Sequence, residues 1–163
     1  MNQKEVSNLM KRRPAGLRNR NPLNIMSGDV KWQGEVGHDY KNRCIFADER
    51  YGYRAVFKLL RNYQKLHGIN RLDRILQRWA PEADGNNTKG YIQRVCKDLN
   101  CSPEREFNFF KPSEMDVHCM LVRAMAKVEL GDEWEPFISM DNIRWGYDLA
   151  CGYITIPNND TEK

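Results

Sequence analysis

Between Tyr51 and Gly68 the apolar residues Ala55, Val56, Leu59, Leu60, Tyr63 and Leu66 recur at helical spacing, and this change of period divides the chain. Upstream, residues 14–49 hold six glycines and prolines: Pro14, Gly16, Pro22, Gly28, Gly34 and Gly37. The apolar pieces between them, Asn24-Ile25-Met26, Val30-Lys31-Trp32 and Cys44-Ile45-Phe46, are too short for helices. Irregular loops with short strands or a small hairpin are expected there. Downstream the helical period returns. Leu72, Ile75, Leu76 and Trp79 mark a second helix stopped by Pro81, and Trp79 belongs to its core face. Tyr91, Ile92, Val95 and Leu99 mark a third, reached through Asn86-Asn87-Thr88. Ser113-x-x-Asp116 is a capping signature for a fourth, which runs through Val117, Leu121, Met125 and Val128 to Gly131. Ser139 can cap a fifth, with Ile143, Tyr147 and Ala150 on one face.

The expected fold is therefore mainly α, with about five helices and a small N-terminal loop-and-hairpin lobe. Residues 1–13 are polar and basic and read as a tail or a short helix; residues 14–156 form a single domain; residues 157–163 are a polar tail. No stretch approaches the run of roughly 18 apolar residues that spans a bilayer. The start of the chain has no apolar signal-peptide core, so synthesis in the cytoplasm without a signal peptide is expected. The five cysteines, Cys44, Cys96, Cys101, Cys119 and Cys151, form no C-x-x-C pair. Neither a zinc site nor a full disulfide framework is indicated, and reduced thiols are expected.

The net charge of +4 hides an asymmetry: residues 1–80 carry 17 Lys and Arg against 7 Asp and Glu, and residues 81–163 carry 9 against 15. A polar partner for the basic half, or mutual attraction of the two halves, would each account for it. Arg54, Lys58, Arg61 and Lys65 form a basic stripe on the helix of residues 51–67. A solvated face is the default reading, and phosphate tracking is the alternative. No helix-turn-helix, zinc finger or RNA-binding aromatic motif accompanies the stripe, so nucleic acid is an unlikely partner. His38, His67 and His118 have no second ligand at metal-binding spacing, and no serine-nucleophile or phosphate-loop signature is present. No metal and no cofactor is implied.

One carboxylate is oddly placed. On the helix of residues 114–130, Arg123 and Lys127 define the polar side. At about 100° per residue, Glu129 falls almost opposite them, between Val122 and Met125, with His118 on the same line. Burial on an apolar flank penalises a carboxylate's charged form and raises its pKa. An acid still protonated near neutral pH is what glycoside cleavage requires. The plainer alternative is a Glu at a helix end turned out to water beside Gly131.

Several segments carry a resemblance: Gly16-Leu-Arg-Asn-Arg-Asn-Pro-Leu-Asn-Ile25, Trp32-Gln-Gly34, Phe46, and Tyr51-Gly-Tyr-Arg-Ala55. Leu59-Leu-Arg-Asn-Tyr63, Arg78-Trp-Ala-Pro81 and Asn87-Thr-x-x-Tyr91-Ile-x-x-Val95 extend it. Together they resemble a family encoded by bacteriophages and mobile elements and often labelled as virion proteins. The order is also similar to part of a lysozyme-like peptidoglycan hydrolase, above all the bacterial N-acetylglucosaminidases. In those enzymes the catalytic Glu ends a helix just upstream of an Asn-rich loop; here only Glu5 lies upstream. Leu121-Val-Arg-Ala-Met-Ala-Lys-Val-Glu129-Leu-Gly131 resembles the helix that bears the acid, with Leu130 where the family has Ser. The resemblance thus implies a circularly permuted lysozyme-like domain acting on peptidoglycan glycan strands at the cell wall or in a virion. Glu129 would be the general acid and Glu35 the candidate second carboxylate, with Asp29 and Asp39 as rivals. Asn21, Asn24, Trp32, Gln33 and Tyr91 would line the sugar groove. A non-catalytic virion or mobile-element protein that keeps the fold, within a virion or element-transfer assembly, is the alternative.

Overall fold

The computed structural model describes residues 1–155; the polar tail of residues 157–163 lies outside them. It is mainly helical. The five expected helices are α3 (Glu49–His67), α4 (Leu72–Trp79), α5 (Thr88–Leu99), α6 (Met115–Leu130) and α7 (Met140–Cys151). Two more precede them, α1 (Gln3–Lys11) and α2 (Ala15–Arg18). Of the two readings of the basic N-terminal residues, tail or short helix, α1 is the helix; it is exposed, and the Asn2 and Glu5 side chains cap its first turn reciprocally. Helix α2 is a single turn behind Pro14, too short to show a period, inside the stretch expected to be loop.

Caps set most helix ends. The Asp48 side chain accepts from the Arg50 N–H at the start of α3, Asn87 accepts from the Gly90 N–H on α5, and Ser139 accepts from the Asn142 N–H on α7. The expected cap at Ser113 does not form. A short 3-10 turn, Pro112–Glu114, leads into α6 instead, and Pro112 at its first position suits that tighter winding.

The lobe before α3 holds one antiparallel hairpin, β1 (Glu35–His38) with β2 (Cys44–Phe46), bulged between Glu35 and Gly37. Val30–Trp32 forms no strand, and the Asn24–Met26 piece contributes a single bridge, Met26 to Arg43. The Asn21 amide holds the loop ahead of the hairpin to it. Its Nδ2 donates to the Ile25 and Cys44 carbonyls, each at 2.9 Å, and its Oδ1 accepts from the Ile25 N–H at 3.0 Å.

Beyond the lobe, α3 lies against α7, and α6 packs between α5 and α7. The α3–α7 approach depends on Gly146. A Cβ there would stand 2.6 Å from Tyr53 Cβ, 2.8 Å from the Arg54 nitrogen and 3.0 Å from the Arg50 carbonyl oxygen. This packing corrects the expectation of a solvated stripe at Arg54 and covers Lys58 and Arg61 in part. Arg54 is buried, and burial pushes the Lys58 ammonium below its ordinary range. Arg61 lies over the Phe110 ring and donates to Cys151 Sγ at 3.0 Å. Of the four, only Lys65 is exposed. Among the described residues no helix is long and apolar enough to cross a membrane.

Two consequences follow for stability. Gly146→Ala forces backbone apart at the α3–α7 crossing, and a loss of about 1–3 kcal/mol is expected in urea unfolding. His118 is fully buried among the rings of Phe107, Phe109 and Tyr147. Burial drives its pKa down, outweighing the Glu114 carboxylate that draws it up. The folded state therefore favours neutral imidazole, and its stabilising contribution is present above the unfolded pKa of about 6.5 and lost as pH falls below it. The urea midpoint should drop between pH 7.5 and 5.5, and His118→Phe should flatten that drop; an unchanged slope would rule the linkage out.

Candidate active site

The last turn of α6 carries Glu129, and the fold meets its carboxylate from three directions. Asn24 Nδ2 donates to Oε1 at 3.2 Å, Tyr91 OH to Oε2 at 2.9 Å, and Trp79 Nε1 to Oε2 at 3.4 Å. Glu129 does not turn out freely to water: it is half-buried, with a partner on each oxygen.

Each partner is set by its own local structure. Asn24 sits at φ 54, in the left-handed region that asparagine tolerates, at the turn closed by the Asn24 N–H on the Asn21 carbonyl at 3.0 Å. Because the Asn21 amide ties that turn to β2, the hairpin lobe as a whole aims Asn24 at the end of α6. Trp79 ends α4 and Tyr91 lies in the first turn of α5. Thr88 Oγ1 donates to the Ala80 carbonyl between them, which joins the two helices where their aromatic side chains converge. Burial first, and then the neighbouring Glu129 carboxylate, push the Tyr91 phenol well above its ordinary pKa, so it remains an O–H donor.

The α6 end is itself seated on the lobe. Gly16 in α2 leaves room for Leu130, whose Cδ2 would lie 2.7 Å from a Cβ at that position. This explains Leu130 where the resembling family has Ser: the side chain is buried against the Gly16 turn. On the opposite side of α6, Arg123 pairs with Glu135 at 2.6 Å and Lys127 with Asp98 at 3.0 Å, so the helix cannot rotate without breaking both.

The other sequence candidates fall differently. Asn21 is fully buried and its amide is consumed by backbone, so it shapes the loop and does not line a groove. Trp32 and Gln33 are also buried, Trp32 within the apolar core, which removes them as open groove walls. Glu35 is 8% exposed, against the exposed hairpin charge that is the usual state of such a residue. Its Oε1 accepts from the Cys44 thiol at 2.8 Å inside the hairpin, and the hydrogen bonds on Glu129 do not include it. For Asp39, burial raises the pKa, but the Arg43 and Lys41 N–H groups, the Asn19 amide and the Arg43 guanidinium outweigh it and hold the carboxyl well below the usual range. Asp39 thus serves the β1–β2 turn. Asp29 is exposed.

Trp79 packs against the core as its period predicts, and it also reaches Glu129, which periodicity does not show. Its spacing with Leu72, Ile75 and Leu76 fits a core face, and the ring is partly packed on the core, but the indole N–H is turned to Glu129. The signal available in the sequence was the Arg78-Trp-Ala-Pro81 segment, which places an N–H donor at the last turn before a chain reversal.

No protein-family model matches this chain. Protein P5 of Pseudoalteromonas phage PM2 is 30% identical to it over 139 residues, covering 82% of this chain and 79% of P5. The similarity runs through most of both proteins, and the chain therefore belongs to the family of the phage PM2 protein P5.

Proposed function

We propose that this phage-family protein cleaves the glycan strands of peptidoglycan, with Glu129 as general acid. The observation that carries the reading is the meeting of Asn24 and Glu129. Residues 105 positions apart are joined at 3.2 Å, which supports reading the Asn24 loop and the Glu129 helix as permuted counterparts of the resembling family's loop and acid helix. The half-buried carboxyl of Glu129 would protonate the glycosidic oxygen as the bond to the sugar carbon breaks. Asn24, Trp79 and Tyr91 then supply donors to the carboxylate left behind, already oriented before the reaction begins.

The oxocarbenium-like centre needs a partner. Glu35 is turned into the hairpin toward the Cys44 thiol, so the substrate's own N-acetyl group is the stabiliser this arrangement favours. Attack by water gives hydrolysis, and attack by a sugar hydroxyl gives transglycosylation; the same acid serves both. A phage-encoded wall-cleaving protein fits a place in the virion or in release from the host.

One observation favours a second reading, a non-catalytic virion protein. Three donors from three elements are also what a structural carboxylate at a helix junction needs. Glu129→Gln separates the two, since glutamine keeps the shape and an acceptor oxygen but cannot give up a proton as an acid. The expected result is a fall of about 10²- to 10⁴-fold in the rate at which purified peptidoglycan suspensions clear. The thermal midpoint should stay close to the unsubstituted protein's. Full clearing by a folded Glu129→Gln protein would remove Glu129 from the chemistry. Tyr91→Phe removes one donor to Glu129 and should cost about 1 kcal/mol in urea unfolding while lowering clearing less than Glu129→Gln does.

A further inference from the structure

Helix α5 ends in a Schellman motif built on two cysteines. Asn100 adopts the left-handed conformation at φ 50. The Cys101 N–H donates to the Cys96 carbonyl at 3.1 Å, and the Asn100 N–H donates to the Lys97 carbonyl at 3.3 Å. A contact between the side chains of the fourth-last helical residue and the second residue past the helix frequently accompanies this pair of bonds. At the end of α5 these two positions are held by Cys96 and Cys101, and Cys101 is among the neighbours that push the Cys96 thiol pKa up. Both are free thiols and neither is fully buried, so a small oxidant can reach them.

We propose that Cys96 and Cys101 are an oxidation site that closes to a disulfide when the protein meets an oxidising, disulfide-containing medium. A low-molecular-weight disulfide such as oxidised glutathione supplies the oxidising equivalents. The Cys101 thiolate attacks one sulfur of the oxidised glutathione, forming a mixed disulfide and releasing one glutathione thiolate. The Cys96 thiolate then attacks the Cys101 sulfur, forming the Cys96–Cys101 bond and releasing the second glutathione. Two protein thiols are oxidised and one glutathione disulfide is reduced to two thiols. Burial, and behind it the neighbouring Cys101, push the Cys96 thiol up to about 11, so it acts second, in the intramolecular step where nearness to the Cys101 sulfur offsets its small thiolate fraction.

The position gives the bond a consequence. The segment that starts at Cys101 holds the start of α4: the Leu72 N–H donates to the Arg105 carbonyl, the Asp73 N–H to the Pro103 carbonyl, and the Phe107 N–H to the Asn70 carbonyl. A bond from α5 to that segment staples together the two helices that carry Trp79 and Tyr91. A reducing cytoplasm leaves the pair open, and an oxidising exterior closes it.

The test uses the full chain, incubated with oxidised glutathione at pH 8 and compared with the reduced protein. Thiol titration after denaturation should show the loss of two of the chain's five thiols, and peptide mapping by mass spectrometry should find Cys96 joined to Cys101. The thermal midpoint should rise by roughly 4–8 °C. Cys96→Ser and Cys101→Ser, each treated in the same way, should show neither the mapped bond nor the rise. Glutathione adducts without the internal bond, a different mapped pair, or no loss of thiols would overturn the proposal. A Cys96–Cys101 bond that forms without raising the midpoint would overturn its stapling role. None of these readouts depends on wall cleavage.

Discussion

A carboxylate on the flank of an otherwise apolar helix has to be met by donors, and here three separate parts of the chain supply them. Asn24 comes from the N-terminal lobe, Trp79 from the end of α4 and Tyr91 from the start of α5. Each of those positions depends on a further contact. The Asn21 amide holds the lobe in shape, the Thr88 hydroxyl joins α5 to α4, and Leu130 seats the end of α6 on Gly16. Removing Glu129's partners one at a time would loosen the junction of three elements, which is why the site and the fold share their energetics here. Interior hydrogen bonds to charged groups are each worth more than neutral ones, and a convergent set also fixes orientation.

The rest of the helical body is organised to support that junction and takes no part in it. Gly146 lets α7 lie close on α3, and α7 in turn leaves α6 one covered flank. The ion pairs of Arg123 and Lys127 hold the rotation of α6 from its other side. The charge asymmetry between the two halves of the chain is partly spent within the molecule. Lys127 answers Asp98 inside the acidic half, but Arg94 and Asp132 or Arg144 and Asp116 are surface pairs worth little. Contacts between basic and acidic halves are sparser: Asn142 reaches Glu49 as a neutral partner, not a charge.

How much of this was legible before folding differs from residue to residue. The period of Ala55, Val56, Leu59 and Leu60 and the cap at Ser139 are local signals, and they located α3 and α7 well. Helix α2 was illegible because one turn has no period, and the Ser113 cap failed because Pro112 favours a tighter turn at that spot. Arg54 and Arg61 read as solvated because a helical wheel shows only which residues share a side, not that α7 and Phe110 would cover it. Glu129 stood out locally as a charge on an apolar flank. Of its partners, Asn24 and Tyr91 were legible only through the resemblance, and Trp79 was not, since it has the spacing of a core residue. Glu35 and Asn21 show the reverse failure: polar residues in a glycine-rich lobe suggest a groove, while hydrogen bonding inside the hairpin and its loop occupies them.

Whether the Glu129 carboxyl at this junction breaks a glycosidic bond is tested most directly by mass spectrometry of the soluble products that the protein releases from purified peptidoglycan. Disaccharide-containing fragments with a newly formed reducing end are expected, or a 1,6-anhydro end if a sugar hydroxyl takes the place of water. Glycan strands recovered with their original chain lengths and unaltered ends, after prolonged incubation with protein shown to be folded, would contradict that cleavage.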